Sequence, residues 1–209
     1  MSSKKHIVDT MRKLYNNKLI SIRDGNMSFK PKNKPYFYIS AGQVRKNELT
    51  DNQVVQVFFE KRDPQISNIP NGSKYDLVFD IQSSYIPSRE IYMHSYLQTM
   101  QQCFHIDNFV VHAHPPNIIA YTGIHTHREL CDIKLTFPEL NVGKIGNNVK
   151  YHEAGSYGLA HNCFQNLQEH DIVALERHGT LSMGSDIDKI MEDIETLEYY
   201  TGIELKTTN

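Results

Sequence analysis

The chain has 209 residues, 39% of them hydrophobic, with 22 Lys and Arg against 24 Asp and Glu. That length suits one unit with a sizeable core, expected to span residues 1–209, and would cramp two. A net charge of −2 gives no field that would gather nucleic acid or anionic membrane, so neither is an expected partner.

Cys103, Cys131 and Cys163 are odd in number and lack Cys-x-x-Cys spacing, so they read as thiols in a reducing compartment. The opening MSSKKHIVDTMRKLYNNKL carries lysines but no continuous apolar run, and no stretch approaches bilayer-spanning length. The expectation is a soluble, cytoplasmic protein.

Ile7, Met11, Leu14 and Tyr15 follow helical spacing, and the pattern loosens into the turn chemistry of Arg23-Asp24-Gly25-Asn26. YFYIS (36–40) and QVVQVFF (53–59) are β-branched and aromatic, hence strands, with Ala41-Gly42 and a polar loop between them. Residues 61–88 hold three prolines and many Asn and Ser, which predicts loops or a short hairpin. Met93, Tyr96, Leu97 and Met100 then form an apolar helical stripe, with Ser88 as the expected N-cap. FVVHAH (109–114) reads as a strand stopped by Pro115, which has no N–H for a ladder. Beyond residues 117–148, where no period dominates, Leu159, Cys163 and Leu167 predict a helix and DIVALE (171–176) a buried strand. Ile187, Ile190, Met191, Ile194 and Leu197 predict a last helix started by a Ser185/Asp188 capping pair. The mixed order of elements implies α/β or α+β layers around one sheet.

Three stretches carry chemistry. Strand alternation puts Val110, His112 and His114 on one face, with the imidazoles roughly 6.5–7 Å apart at Cα. Ring nitrogens about 2 Å from one ion can converge from there. His178, followed by Gly179 at a strand exit, is a candidate third ligand, because glycine permits a sharp turn into a cleft. Three protein ligands with an open position is the arrangement of catalytic zinc. In IPSREIYMH (86–94), Glu90 and His94 share a helical face, and Glu90 is either a base beside the ion or a partner of the helix dipole. His125 and His127 form a second His-x-His without a flanking strand pattern and read as loop. DGNMS (24–28) and ISAGQ (39–43) have the grammar of small polar loops that aim N–H groups at an oxyanion, and Ser88-Arg89 at a helix start could join them.

Taken in order, GNMS (25–28), SAG (40–42), PSREIYMH (87–94), VVHAHP (110–115), AGSYGLA (154–160) and LERHGTLSMG (175–184) resemble the class II aldolase/adducin family. Its fuculose-type sugar-phosphate aldolases carry Gly-Asn-x-Ser, Pro-Ser-Ser-Glu with a following His, His-x-His-Pro and Asn-His-Gly in this order. The resemblance implies an α/β fold of three α/β/α layers, with a central, mainly antiparallel sheet flanked by helices. It also implies a homotetramer with sites at subunit interfaces. It implies His112, His114 and His178 as ligands of one divalent metal per chain, most often zinc, and Glu90 as the catalytic acid/base. Imidazoles also accept manganese, cobalt or iron. A phosphate site would comprise Gly25, Asn26, Ser28, Ser40, Gly42 and Ser88. Two residues depart from the pattern: Arg89 stands where the family often has a second serine, and Arg177 where it usually has asparagine. For the family's catalytic tyrosine, Tyr199 and Tyr200 are candidates that no motif selects between.

The activity this implies is metal-dependent cleavage of a ketose phosphate through a stabilised enediolate, with a small phosphorylated sugar as the partner. The same scaffold hosts sugar-phosphate 4-epimerases and methylthioribulose-1-phosphate dehydratases. A dehydratase would need Glu129, Glu139 or Glu153 in the pocket, and an epimerase normally has further acid and tyrosine residues in a longer C-terminal region. Non-enzymatic, adducin-like assembly relatives would be expected to lack the metal set, which is present here in full.

Overall fold

The computed structural model describes residues 3–61, 75–79, 83–100, 105–123 and 128–207. His125, His127 and Cys103 lie outside the described residues.

Helix α1 (Ser3–Asn16) buries Ile7, Val8, Met11 and Leu14 along one stripe. It stops at Lys18, which takes a left-handed φ of 60° and lets Leu19 N–H bond the Leu14 carbonyl at 2.9 Å. Strands β1 (Asn26–Lys30), β2 (Tyr36–Ser40), β3 (Val54–Lys61) and β4 (Tyr75–Phe79) follow. After them come α2 (Ile91–Gln98), β5 (Asn108–Ala113), α3 (Pro116–Tyr121), α4 (Ile133–Thr136) and α5 (Tyr157–Asn166). β6 (Ile172–Leu175), β7 (Gly179–Gly184) and α6 (Ile187–Thr207) complete the order. The seven strands form one sheet in the order β4-β3-β2-β1-β5-β7-β6, with antiparallel pairing at every neighbour. Helices cover both faces, as the three-layer expectation requires. α1, α3 and α6 pack on one face with Met27, Phe29, Phe109 and Val111, while α2 and α5 pack on the other with Val110, Val173 and Leu181.

Several expectations need correction. Asn26, Met27 and Ser28 are not loop but the start of β1, paired with His112, Val111 and Val110 of β5. Turn-forming residues just before them hid a strand of five buried positions. β7, hydrogen-bonded between β5 and β6, escaped prediction because GTLSMG has glycine at both ends and no clean alternation. Helix α2 starts at Ile91 with Glu90 at the N-cap position, and Ser88 lies two residues too early. The cap of α6 is Asp186, whose Oδ1 accepts N–H bonds from Asp188 and Lys189, and the Ser185/Asp188 pair does not form it. That helix runs ten residues past Leu197, to Thr207. The expected hairpin is present in part, as β4 pairs antiparallel with β3. Among the described residues no helix is long and apolar enough to cross a membrane.

Candidate active site at the strand ends

Antiparallel pairing brings the start of β1, the end of β2, the end of β5 and the start of β7 to one end of the sheet. Pro115 and Pro116 end β5 and open α3, Pro116 occupying a first helical turn where a missing N–H costs nothing. Glu176-Arg177-His178 turns the chain from β6 into β7, Arg177 adopting φ 59°. Gly179 is obligatory there, because a Cβ would lie 2.0 Å from the Ala113 carbonyl oxygen.

His112, His114 and His178 converge at this end. One nitrogen from each lies within 4.8 Å of the others, a group that could hold a metal ion. Ring centroids are 4.6 Å apart for His112–His114 and for His112–His178, and 5.2 Å for His114–His178. The His112 ring is fully buried, and its Nδ1–H donates to the Thr180 carbonyl at 2.8 Å. That bond fixes the tautomer and leaves the Nε2 lone pair facing the cluster, the usual outer support of a metal-bound imidazole. Asp24 Oδ2 stands 4.0 Å behind His114 Nδ1. Burial above all, together with the neighbouring rings, pushes the pKa of His112 and of His114 down to about 3. Both rings are therefore neutral at physiological pH, the state in which imidazole is a ligand.

Glu90 reaches in from the start of α2. Its Oε2 lies 3.2 Å from His112 Nε2, and its Oε1 lies 3.3 Å from His178 Nε2. The carboxylate is buried, and Oε1 has no hydrogen-bond partner among the described residues. A carboxylate oxygen left unmatched beside three imidazole nitrogens costs stability unless a cation or a proton donor meets it. The residues therefore fit a divalent cation on two counts, the donor set and the orphaned oxygen.

Behind Glu90 runs a chain of buried side chains that the sequence did not reveal. Asn26 Nδ2 donates to Glu90 Oε2 at 2.8 Å. The Asn26 carbonyl oxygen meets His94 Nε2 in a short contact, and His94 Nδ1 meets Ser28 Oγ at 2.7 Å. Gln98 Nε2 donates to Ser28 Oγ at 2.8 Å, and Asn108 Nδ2 donates to Gln98 Oε1 at 2.9 Å. An amide oxygen only accepts, so His94 carries its proton on Nε2 and accepts from the Ser28 hydroxyl on Nδ1. Every bond then points toward Glu90. Burial pushes His94 down to about 3, the Glu90 charge opposing and His112 adding to the shift, so the ring stays neutral. The spacing of Glu90 and His94 was legible; their link through β1 was not, because β1 itself was unseen.

The remaining expected residues divide. Gly25, with φ 67°, abuts the His112 carbonyl, where a Cβ would come within 3.0 Å. The Gly42 N–H bonds the Ile86 carbonyl at 3.1 Å, and an Ala41–Pro87 bridge lays that turn against Ser88. Ser88 Oγ accepts the Glu90 N–H at 3.3 Å. Exposed Arg89 donates to the Ala154 carbonyl at 3.3 Å. The side chains of Asn26 and Ser28 are committed to the Glu90 chain, and Ser40 Oγ accepts the Met27 N–H at 3.3 Å, so these three are not presented to solvent. Tyr200 packs on Phe137 at 4.9 Å in the layer of α6, with Tyr199 exposed beside it, on the face of the sheet away from Glu90. Glu129 is engaged by the Asn148 N–H, and Glu139 and Glu153 are exposed.

The fold and this end of it define a helix-flanked antiparallel sheet with a three-histidine group. The profile of the family "Class II Aldolase and Adducin N-terminal domain" matches residues 5–205, and the chain belongs to that family. No curated protein sequence matches the chain. Among solved structures, an L-fuculose 1-phosphate aldolase is 19% identical, with TM-score 0.68, 99% of this chain and 86% of that one covered. A sugar-phosphate aldolase from Thermotoga maritima is 17% identical, with TM-score 0.72 and coverage of 99% and 94%. An L-fuculose-1-phosphate aldolase from Thermus thermophilus is 21% identical, with TM-score 0.66 and coverage of 99% and 94%. At these identities the likeness is one of fold.

Proposed function

We propose that the protein is a metal-dependent aldehyde-lyase that cleaves a ketose phosphate, with His112, His114 and His178 holding one zinc ion and Glu90 moving the proton. The observation that supports this best is the meeting of three imidazoles with a buried carboxylate whose Oε1 has no hydrogen-bond partner among the described residues. A divalent ion bound there would supply Lewis acidity toward substrate oxygens.

The chain's own residues do the rest. Glu90, fixed on one oxygen by Asn26, presents the other as the base that removes a proton from the carbon beside the carbonyl during condensation and returns it after cleavage. Asn26, His94, Ser28 and Gln98 hold that carboxylate in one orientation, which removes the reorganisation a free side chain would undergo. By the family resemblance, Gly25, Gly42, Ser88 and Arg89 would take the phosphate. Fuculose-phosphate and other sugar-phosphate aldolases among the similar folds support a phosphorylated sugar as substrate.

Elemental analysis of the purified protein beside a His112→Ala/His114→Ala variant tests this reading. About one divalent ion per chain, absent from the variant, is expected. A parent chain that binds no metal after incubation with zinc or manganese would exclude the lyase.

A further inference from the structure

We infer that Asp24, which lies just outside the GNMS motif, is the outer support of the metal group, accepting the Nδ1–H of His114 whenever that ring turns its Nε2 lone pair to a cation. The inference rests on the metal reading of the three histidines and adds the residue that sets the tautomer of one of them.

The Nδ1–H of His112 is committed to the Thr180 carbonyl, so its Nε2 offers a lone pair. His114 Nε2 stands 2.8 Å from that atom. Two lone pairs repel at that distance, which leaves the neutral His114 ring two arrangements. Either its proton sits on Nε2 and donates to His112, or both Nε2 lone pairs turn to one cation and the proton sits on Nδ1. The ring keeps a single proton throughout, which passes between its two nitrogens by way of solvent. In the first arrangement Nδ1 presents a lone pair to the Asp24 carboxylate; in the second it presents an N–H that a carboxylate accepts in a charge-assisted bond. Asp24 Oδ2 is 4.0 Å from Nδ1, too far for a hydrogen bond in the first arrangement and close enough for its charge to weigh the choice between the two.

The chain holds Asp24 at that point. Three consecutive residues address three members of the group: Asp24 faces His114, Gly25 lies against the His112 carbonyl, and Asn26 donates to Glu90. At Gly25 a Cβ would come 2.5 Å from Ile20 Cγ2, so the turn needs glycine there. The Ser21 hydroxyl donates to Asp24 Oδ2 in a short contact, and the His114 N–H bonds the Leu19 carbonyl at 2.8 Å, which ties this segment to the end of β5. Although Asp24 is half-exposed, its charge reaches inward. Burial holds the His114 pKa down and Asp24 pulls against it; burial likewise lowers Lys46, whose Nζ donates to the Ala41 carbonyl, to about 8, again against Asp24. A ligating imidazole is neutral, so a divalent cation held by histidines and the one Glu90 carboxylate keeps a positive charge, and Asp24 brings a second carboxylate to it. Asp24 is a positioning residue, acting on the metal group through His114.

Zinc titration against a competing chelator, on the wild type and on the Asp24→Ala and Asp24→Asn variants, tests this beside nitrogen-15 NMR of the histidine rings. Asp24→Ala is expected to weaken zinc binding about 10–100-fold. Asp24→Asn keeps an oxygen acceptor for His114 and for Ser21 without the charge, so it should recover part of that loss; it decides the matter if Asp24→Ala does not fold. In the spectra of the wild type, the His114 proton should sit on Nδ1 with zinc and on Nε2 in excess chelator. Unchanged zinc affinity in Asp24→Ala, or a His114 proton on Nε2 in the zinc-loaded wild type, would overturn the inference and leave the metal group standing. A wild type that takes up no zinc would overturn the metal reading and this inference with it.

Discussion

The two faces of strands β1 and β5 are built from alternating residues of the same ten or so positions, yet they differ in kind. On one face Met27, Phe29, Phe109, Val111 and Ala113 meet α1, α3 and α6 in an apolar cluster. On the other, Asn26, Ser28, Asn108 and His112 are as deeply buried under α2, and they are polar. Burying such groups is tolerable because Asn26, Ser28 and Asn108 meet partners along the chain from Asn108 to Glu90, and His112 donates to the Thr180 carbonyl. Within that chain the atoms without hydrogen-bond partners among the described residues, Asn108 Oδ1 and Glu90 Oε1, stand at its two ends. One face contributes stability through apolar area; the other gives up apolar area to aim a carboxylate.

Glu90→Gln should show the largest effect of this difference. The amide keeps the shape and a contact to Asn26 but cannot accept a proton, so turnover of a cleavable ketose phosphate is expected to fall about 10³-fold. Bound metal should stay at the parent level, measured by elemental analysis. Unchanged turnover would remove Glu90 from the chemistry.

Paired substitutions on the two faces sharpen the contrast. Leu197→Ala on α6 opens a cavity in the apolar layer and should lower the unfolding free energy by about 2–5 kcal/mol, with kcat of the folded protein unaltered. Ser28→Ala strips His94 Nδ1 and Gln98 of a shared partner and should cost about 1–3 kcal/mol. Here kcat should fall as well, because Glu90 loses its hold. Denaturant titration and kinetics on both variants separate the cases; equal loss of kcat in both would erase the distinction between the faces.

The polar face should also set the acid limit of the fold. His94 has a folded pKa near 3 against about 6.5 when unfolded, so the unfolded chain takes up a proton first as pH falls. The stability this neutral ring confers is complete above pH 6.5 and is lost progressively down to about 3. From pH 6.5 to 5 the wild type should lose about 2 kcal/mol more than His94→Gln, whose side chain does not titrate. Parallel slopes in urea unfolding at the two pH values would show that His94 is already protonated in the fold.

What the sequence disclosed depended on which signal each element carried. The β5 strand and its paired histidines were legible because VVHAHP combines β-branched residues with a proline stop, and helical periodicity exposed α2 and α6. β1 was hidden because Arg23-Asp24-Gly25 is real turn chemistry running straight into a buried strand. With β1 unseen, Asn26 and Ser28 could only be read as loop residues near a phosphate, although pairing to β5 carries their side chains under α2. Lys46 gave no signal, since a single lysine in a polar stretch looks exposed until Ala41 and Ile22 close over it.

Arg177 offers the smallest expected effect and separates the rim of the site from its interior. It precedes His178 with φ 59°, and its guanidinium lies 4.3 Å from the centre of the Tyr151 ring. Replacing it with Asn removes a cation–π contact of about 0.5–1 kcal/mol at an exposed position. Asn, however, tolerates the left-handed backbone better than Arg, which returns a comparable amount. The two contributions oppose, so Arg177→Asn should leave the melting temperature nearly unchanged. A guanidinium held over Tyr151 is also turned to the rim, so kcat/KM should stay within about twofold of wild type, well under the roughly tenfold that about 1.4 kcal/mol of lost transition-state binding would produce. A fall of about tenfold in kcat/KM with unaltered metal content would mean that Arg177 leaves Tyr151 to meet the substrate, and would move the boundary between rim and interior outward by one residue.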